Sequence, residues 1–267
     1  MSRQAPVREV APTVQRLRIR YARRGRLRFS SHRDFQRALE RALRRAEVPV
    51  AFSQGFNPRP RVSYANAAAT GVASEAEYVE IAVTAVLAPE KVRAALDEAL
   101  PPGLDVLEVV EVRTPDLVER LEASVYEMRL PEVTAESARV AVAALLAAEE
   151  IQVERLTKNG LRTFDARAAV IRLEVRDTLD ADAAVTDGSA GRAPCAILDM
   201  VVRHLTPAVR PDDVLAALRV VDLDAPVAAQ VTRWAQGPLV PDPGSGSPRD
   251  AVTDPLAPDR DEAAVGA

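Results

Sequence analysis

Residues 14–112 alternate between the hydrophobic pattern of a β-strand and that of an α-helix. The order of these patterns is the sequence feature that most constrains the fold. Strand-type patterns occur at 14–21, 48–52, 62–67, 75–84 and 104–112. The stretch 48–52 begins the second strand, and the stretch 62–67 is a strand that follows a polar loop. Helix-type spacing, with apolar residues three and four positions apart, occurs at 33–46 and 88–103. The order strand, helix, strand, strand, helix, strand predicts an α+β fold of the ferredoxin-like type, βαββαβ, with an antiparallel sheet.

The second half of the chain repeats this alternation of patterns. Strand patterns lie at 124–133, 151–157, 167–177 and 195–205, and helix patterns lie at 135–150 and 210–220. We therefore predict two tandem ferredoxin-like units with antiparallel sheets, the first over residues 14–115 and the second over residues 116–236.

Three segments lack these patterns. Residues 1–13 have no periodicity and are predicted to be a flexible leader. Residues 176–194 are acidic and rich in small side chains, which favours a flexible loop. Residues 237–267 contain many Pro, Asp and Gly and few large apolar residues, so we predict a disordered tail.

The helix predicted at 33–46 separates an apolar face from a row of arginines. Its apolar positions are Phe35, Ala38, Leu39, Ala42, Leu43 and Ala46. Arg37, Arg41 and Arg44 lie within about 60° of one another on the opposite side of a helical wheel, with Arg33 and Arg45 at the flanks. We call the first three the arginine ridge. Such a ridge predicts a ligand that carries phosphates or carboxylates, although a base-composition bias towards arginine would also make the residue frequent.

A polar loop follows this helix and contains the turn-forming residues Gly55, Asn57, Pro58 and Pro60. As a binding loop it would present Ser53, Gln54, Phe56, Asn57, Arg59 and Arg61. The alternative interpretation is a long hairpin connection without a ligand.

Charge is distributed unevenly along the chain. Residues 1–64 contain sixteen arginines and four acidic residues, which is +12 in a chain whose net charge is −4. The remaining residues therefore carry −16. A basic first quarter predicts a polyanionic partner, and the acidic remainder would limit unspecific binding.

Cysteine and histidine counts exclude several chemistries. Cys195 is the single cysteine, so the chain forms no internal disulfide and binds no iron–sulfur cluster, and we expect this thiol to be buried. His32 and His204 are the two histidines, too few for a multi-histidine metal site. No apolar run reaches the length of a membrane span, and the N-terminus lacks a secretory signal pattern. We expect a cytoplasmic protein without a membrane partner or a metal site.

Three linked motifs resemble a known family. They are S-H-x-D at 31–34, E-R-A-L-R-R-A at 40–46 and S-x-G-F-N-P-x-P at 53–60. Residues 27–83 resemble the family called domain of unknown function 2344, or radical-SAM-linked proteins, and the resemblance extends more faintly to about residue 220. In that family the domain occurs alone or fused behind a radical-SAM enzyme module.

The resemblance implies an accessory role. The chain has no CxxxCxxC motif, so it is similar only to the accessory portion of the fused proteins. S-adenosylmethionine and an iron–sulfur cluster are then expected only on a separate radical-SAM partner, with no cofactor bound by this chain.

His32 has three interpretations at the sequence level. Beside Ser31 and Asp34 it could carry a proton near neutral pH, contact a phosphate, or act as a hydrogen bonder at the helix start. No G-x-S-x-G signature accompanies the serines, so a hydrolase triad is poorly supported. His32 is the one catalytic candidate, and no catalytic residue is assigned.

We expect a noncatalytic accessory or substrate-binding module that binds RNA and acts with a radical-SAM enzyme or RNA-processing machinery. The expected ligand-binding residues are Ser31, His32, Arg37, Arg41, Arg44, Ser53, Gln54, Phe56, Asn57, Arg59 and Arg61. Phe56 would stack on a base, and Gln54 or Asn57 would contact its edge. One alternative is a metal-independent ribonuclease or transferase that uses His32 as general acid or base. Another is an adaptor that binds an acidic protein, and the oligomeric state stays open.

Overall fold

The computed structural model describes residues 11–54, 56–158, 160–176, 194–225, 228–244 and 246–260. The chain forms two compact units. Unit 1 takes the residues up to Arg120 together with those from Pro255 onward, and unit 2 is Leu121–Asp254. Most of the predicted leader and of the predicted 176–194 loop lies outside the described residues.

Unit 1 is a mixed α+β structure. Its elements in chain order are β1 (Gln15–Arg23), α1 (His32–Arg45), β2 (Val62–Ala65), β3 (Ala73–Val83), α2 (Pro89–Ala99), β4 (Leu104–Glu111) and α3 (Leu117–Arg120). The strands pair in the order β4-β1-β3-β2, and each pair is antiparallel. The stretch 48–52, predicted as strand, forms only isolated bridges at Val50 and Phe52.

The core of unit 1 lies between its sheet and its two long helices. Leu17 and Ile19 of β1 pack with Leu39 of α1 and Leu96 of α2, and all four side chains are buried. Because side chains alternate along a strand, the arginines of β1 lie on the opposite face of the sheet. Arg18 on that face is nevertheless only 1% exposed.

Unit 2 is also a mixed α+β structure. Its elements are β5 (Ala123–Pro131), α4 (Ala135–Ala147), β6 (Gln152–Thr157), β7 (Gly160–Asp165), β8 (Val170–Val175), β9 (Cys195–Arg203), α5 (Pro211–Val220) and β10 (Gln230–Gly237). Four strands pair antiparallel in the order β10-β5-β9-β8, and β6 pairs with β7 in a separate two-stranded sheet. The predicted α+β class is confirmed. The expectation of a buried cysteine is wrong, because Cys195 is exposed at the first position of β9.

The prediction of a disordered tail from residue 237 is wrong for the part that the structure describes. A short 3-10 helix, Pro248–Ala251, belongs to unit 2, and α6 (Ala257–Arg260) belongs to unit 1. The segment has few large apolar residues, but Ala251 and Leu256 are fully buried and Asp259 is buried as well. A low apolar content therefore did not prevent packing here. Residues 261–267 lie outside the described residues.

None of the helices among the described residues has the length and hydrophobicity needed to span a bilayer.

Candidate functional site

The arginine ridge is on the exposed side of α1. Phe35, Leu39 and Leu43 are buried against the sheet, whereas Arg37, Arg41 and Arg44 are exposed. None of the three ridge arginines forms an ion pair with a residue that the structure describes. The neighbouring Arg45 differs, because its Nη1 donates to the Ala99 carbonyl oxygen at 3.3 Å. The predicted helix and its polar face are therefore confirmed, and the three guanidinium groups point into solvent.

Ser31 organises the start of α1. Its Oγ accepts a hydrogen bond from the Asp34 backbone N–H at 3.2 Å and donates to the Asp34 carboxylate at 2.6 Å. The Ser31 hydrogen bond and the charges of Arg37 and Arg33 lower the pKa of Asp34. Ser31 is one of the predicted ligand-binding residues, and the structure gives its hydroxyl group the role of a helix cap.

His32 lies at the first position of α1 with its ring exposed. The ring packs edge-on against Tyr64 of β2, with 4.8 Å between the ring centroids. Burial, assisted by the charge of Glu40, raises the pKa of Tyr64 to about 12. Among the described residues, no carboxylate hydrogen-bonds the His32 imidazole in the way that orients a general base. The catalytic interpretation of His32 thus gains no geometric support.

The loop after Phe52 is closed at its base by backbone pairing. Ser53 N–H donates to the Arg59 carbonyl at 2.8 Å, and Arg59 N–H donates to Ser53 Oγ at 3.0 Å. The described residues of the tip, Gln54, Phe56 and Asn57, are exposed, and Phe56 is 78% exposed. Gly55 lies outside the described residues. The loop therefore presents an aromatic ring and two amides on a fixed base.

Two loop arginines line a cavity of about 620 Å³, which we call the basic groove. Its lining includes Thr13, Arg16, Ser53, Arg59, Arg61, Ser63 and Glu80. Arg61 Nη1 donates to Thr13 Oγ1 at 3.1 Å, and Arg16 Nη1 donates to Glu80 at 3.1 Å. Sequence reasoning missed Thr13, Arg16 and Ser63 as site residues. The alternation of β1 placed Arg16 off the core face, but only strand pairing brings it beside the loop.

The arginine ridge and the basic groove do not share one cavity. Arg44 lines a different cavity of about 290 Å³ together with Phe52, Pro58 and Pro60. Pro60 also lines the basic groove. Arg44 and the two loop arginines therefore line different cavities, and Pro60 of the loop belongs to the lining of both.

His204 forms a serine–histidine pair inside unit 2. Its Nε2 lies 2.8 Å from Ser124 Oγ, and its Nδ1 lies 2.6 Å from the Leu121 carbonyl oxygen. A carbonyl oxygen only accepts, so Nδ1 carries the proton and Nε2 accepts from Ser124. Ser124 is fully buried, so its hydroxyl cannot reach a substrate. Burial is also the main cause of the lowered pKa of His204.

This pKa predicts a pH dependence of stability. Because the pKa of His204 in the folded state lies below its ordinary value of 6.5, the unfolded chain binds the proton first as the pH falls. The free energy of unfolding should therefore decrease below about pH 6.5, with a contribution of at most about 1.4 kcal/mol per pH unit. Urea unfolding at several pH values checks this result. His204→Gln should remove the contribution and His32→Gln should keep it, and equal slopes in the two variants would contradict the prediction.

Among the described residues there is no group of three or more His, Cys, Asp or Glu side chains placed to hold a metal ion.

These features define a mixed α+β protein whose first unit carries exposed arginines on a helix and in a neighbouring groove. Residues 16–211 match the family described as "Uncharacterized protein conserved in bacteria (DUF2344)", and the chain belongs to this family. The matched range contains α1, the loop and most of unit 2. The membership predicted from the three sequence motifs is confirmed. No curated protein matches the chain.

Proposed function

We propose that this protein is a noncatalytic module that binds single-stranded RNA through the arginine ridge of unit 1. The observation that carries the proposal is the exposure of Arg37, Arg41 and Arg44 without an ion-pair partner among the described residues. Other arginines are held in ion pairs, for example Arg24 with Glu75 and Arg176 with Asp199. Unpaired guanidinium groups on one helical face are suited to an anionic ligand.

The dimensions of the ridge favour a ligand with several charges in a row. Arg37 and Arg44 are separated by about 10 Å along the helix axis at 1.5 Å per residue. A nucleic-acid strand carries a charge on every nucleotide and so can contact all three guanidinium groups. Phe56 is exposed on the neighbouring loop and would stack on an unpaired base, as aromatic side chains do in single-strand binders.

We also propose that both units are ferredoxin-like. The support is the strand order, because in each unit the first strand lies between the fourth and the third and the second strand is at the edge. In each unit a helix follows the first and the third strand of this sheet. The β6–β7 hairpin is then an insertion between the first helix and the second strand of unit 2.

The cellular setting is part of the same proposal. We propose a cytoplasmic location, as the sequence patterns predict, and a separate radical-SAM enzyme as partner, as the family resemblance implies. RNA-processing machinery is the alternative partner, and the ridge would present RNA to either of them.

Salt dependence tests the proposal directly. Fluorescence anisotropy with a labelled single-stranded RNA should give a plot of log affinity against log salt with a slope of about −2 to −3, as three to four phosphate contacts require. Absence of binding, or an affinity that does not change with salt, would contradict RNA binding. Crosslinking in cells that recovers an acidic protein and no RNA would favour the adaptor instead.

The same samples test for catalysis. RNA incubated with the protein in EDTA should remain intact if the module only binds. Cleavage that disappears in His32→Ala would overturn the noncatalytic assignment.

A further inference from the structure

The basic groove is a second cationic site. It differs from the ridge because its arginines line a cavity and one of them, Arg16, is paired with a glutamate. Arg16 reaches it from β1, and Arg59 and Arg61 reach it from the loop. The one acidic residue of its lining, Glu80, is already bound by Arg16 and by the buried Arg18, at 3.1 Å each. Three arginines and one glutamate leave a formal charge of +2 on the lining.

The lining of the basic groove also contains hydroxyl groups, which can donate hydrogen bonds to a ligand. Ser53 Oγ accepts from the Arg59 backbone N–H, and Thr13 Oγ1 accepts from Arg61. Each of these hydroxyls keeps its own hydrogen for a ligand, since a hydroxyl has one hydrogen to donate. Ser63, exposed on β2, lines the same groove. A ligand there meets guanidinium and hydroxyl donors, which suits a group made only of acceptor oxygens.

The two ends of the groove differ. At one end it shares Thr13, Ser53 and Arg61 with a cavity of about 310 Å³ that adds Phe52 and Gln54. An aromatic ring and an amide are the groups that stack on a base and bind its edge. This end can therefore accept a nucleobase.

The other end is acidic. There the groove shares Arg16, Ser63 and Glu80 with a cavity of about 390 Å³ whose lining also includes Asp116 and Glu119. A strand that continued in this direction would bring its phosphates beside carboxylates. The distribution of charge therefore favours a ligand that ends in the groove.

We propose that the basic groove binds the phosphomonoester of a nucleotide, with the phosphate on Arg16, Arg59 and Arg61 and the base against Phe52. A phosphomonoester carries about −1.5 to −2 at pH 7, which matches the groove better than the single charge of a backbone phosphate. The same chemistry is offered by a phosphorylated RNA end and by a free nucleoside monophosphate. The choice of an RNA end over a free nucleotide rests on the proposed function, because the ridge would hold the RNA strand whose end enters the groove.

The test compares RNAs that differ only at their ends. Three RNAs of one sequence carry a 5′-phosphate, a 3′-phosphate or hydroxyls at both ends, and adenosine 5′-monophosphate serves as the free nucleotide. Calorimetry with the full chain should show at least about tenfold tighter binding of one phosphorylated RNA than of the hydroxyl RNA, as charge-assisted hydrogen bonds to the terminal group imply. Arg59→Gln/Arg61→Gln should reduce this ratio towards one. The matched variant Arg37→Gln/Arg41→Gln should weaken binding of all three RNAs and keep the ratio.

The outcomes separate the two proposals. Equal affinity of the wild type for the three RNAs, without binding of the free nucleotide, overturns the groove assignment and leaves RNA binding by the ridge intact. Arg61-dependent binding of adenosine 5′-monophosphate, without affinity for any RNA, supports the groove and overturns the proposed function. Arg61→Lys, which keeps the charge but loses the planar fork, should retain part of the preference.

Discussion

Deleting residues 255–267 is expected to lower the free energy of unfolding by about 3 kcal/mol or more, because it removes the partner of a buried charge. Arg18 is almost fully buried, and its Nη1 donates to Asp259 at 2.5 Å. Without Asp259 the Arg18 guanidinium group would still pair with Glu80, but it shares this carboxylate with Arg16. Truncation at this point should therefore destabilise unit 1, in contrast to what a disordered tail would predict.

Asp259 is held by more than this ion pair. Its carboxylate accepts hydrogen bonds from Thr114 Oγ1 at 2.7 Å and from the backbone N–H groups of Arg113 and Thr114, each at 3.0 Å. Burial alone would raise the pKa of Asp259, but these hydrogen bonds and that of Arg18 lower it below its ordinary value of 3.8. The stabilisation is therefore present above about pH 4 and is lost as the pH falls through the pKa of the folded state.

Guanidinium chloride unfolding of matched variants measures the effect. Asp259→Asn should lose most of the stability lost by the truncation, whereas Asp224→Asn, an exposed aspartate of unit 2, should change little. Arg18→Met/Asp259→Leu removes both charges and should recover part of the loss, because the buried Arg18 charge no longer needs a partner. Recovery should be incomplete, because Arg120 also contacts Asp259, at 3.3 Å. A chain that ends at Arg260 keeps all these contacts and is the control for truncation. If Asp259→Asn unfolds at the same midpoint as Asp224→Asn, the buried pair is not stabilising.

The sequence predicted the parts of the fold that depend on local patterns. The helix predicted at 33–46 is α1 at His32–Arg45, since its cap and its apolar spacing lie within one short segment. The packing of α6 depends instead on long-range contacts such as that of Asp259 with Arg18, which is 241 positions away in the chain. Composition contains no information on such a pair. The sequence patterns did not predict β10 for a related reason. This strand contains Arg233, a charged residue that is buried in the structure.

The same distinction applies to the candidate site. The ridge could be predicted because Arg37, Arg41 and Arg44 share a face through helical spacing alone. The basic groove could not, because Arg16 approaches Arg61 only after β1 pairs with β3 and β3 pairs with β2. The order of the elements predicted the type of sheet, but not which side chains of β1, β3 and β2 become neighbours across it. The groove is therefore a property of the tertiary structure and of no single segment of the sequence.

Neutralising the ridge with Arg37→Gln/Arg41→Gln/Arg44→Gln is expected to weaken binding of single-stranded RNA by about a hundredfold at low salt. The slope of log affinity against log salt should become much shallower, between about −0.7 and zero, because each lost phosphate contact removes about 0.7 from its magnitude. The substituted side chains are exposed and without described ion pairs, so stability should change little. Anisotropy titrations at several salt concentrations measure both quantities.

The control must remove the same charge from another place on the protein. Arg139, Arg162 and Arg203 are exposed arginines of unit 2, and their combined change to glutamine alters the net charge of the chain by the same amount. If RNA binding depended only on overall charge, both triple variants would lose affinity equally, and the ridge would not be a site. A loss confined to the α1 variant would instead assign the phosphate contacts to one helical face, because net charge, RNA and buffer are the same in both measurements.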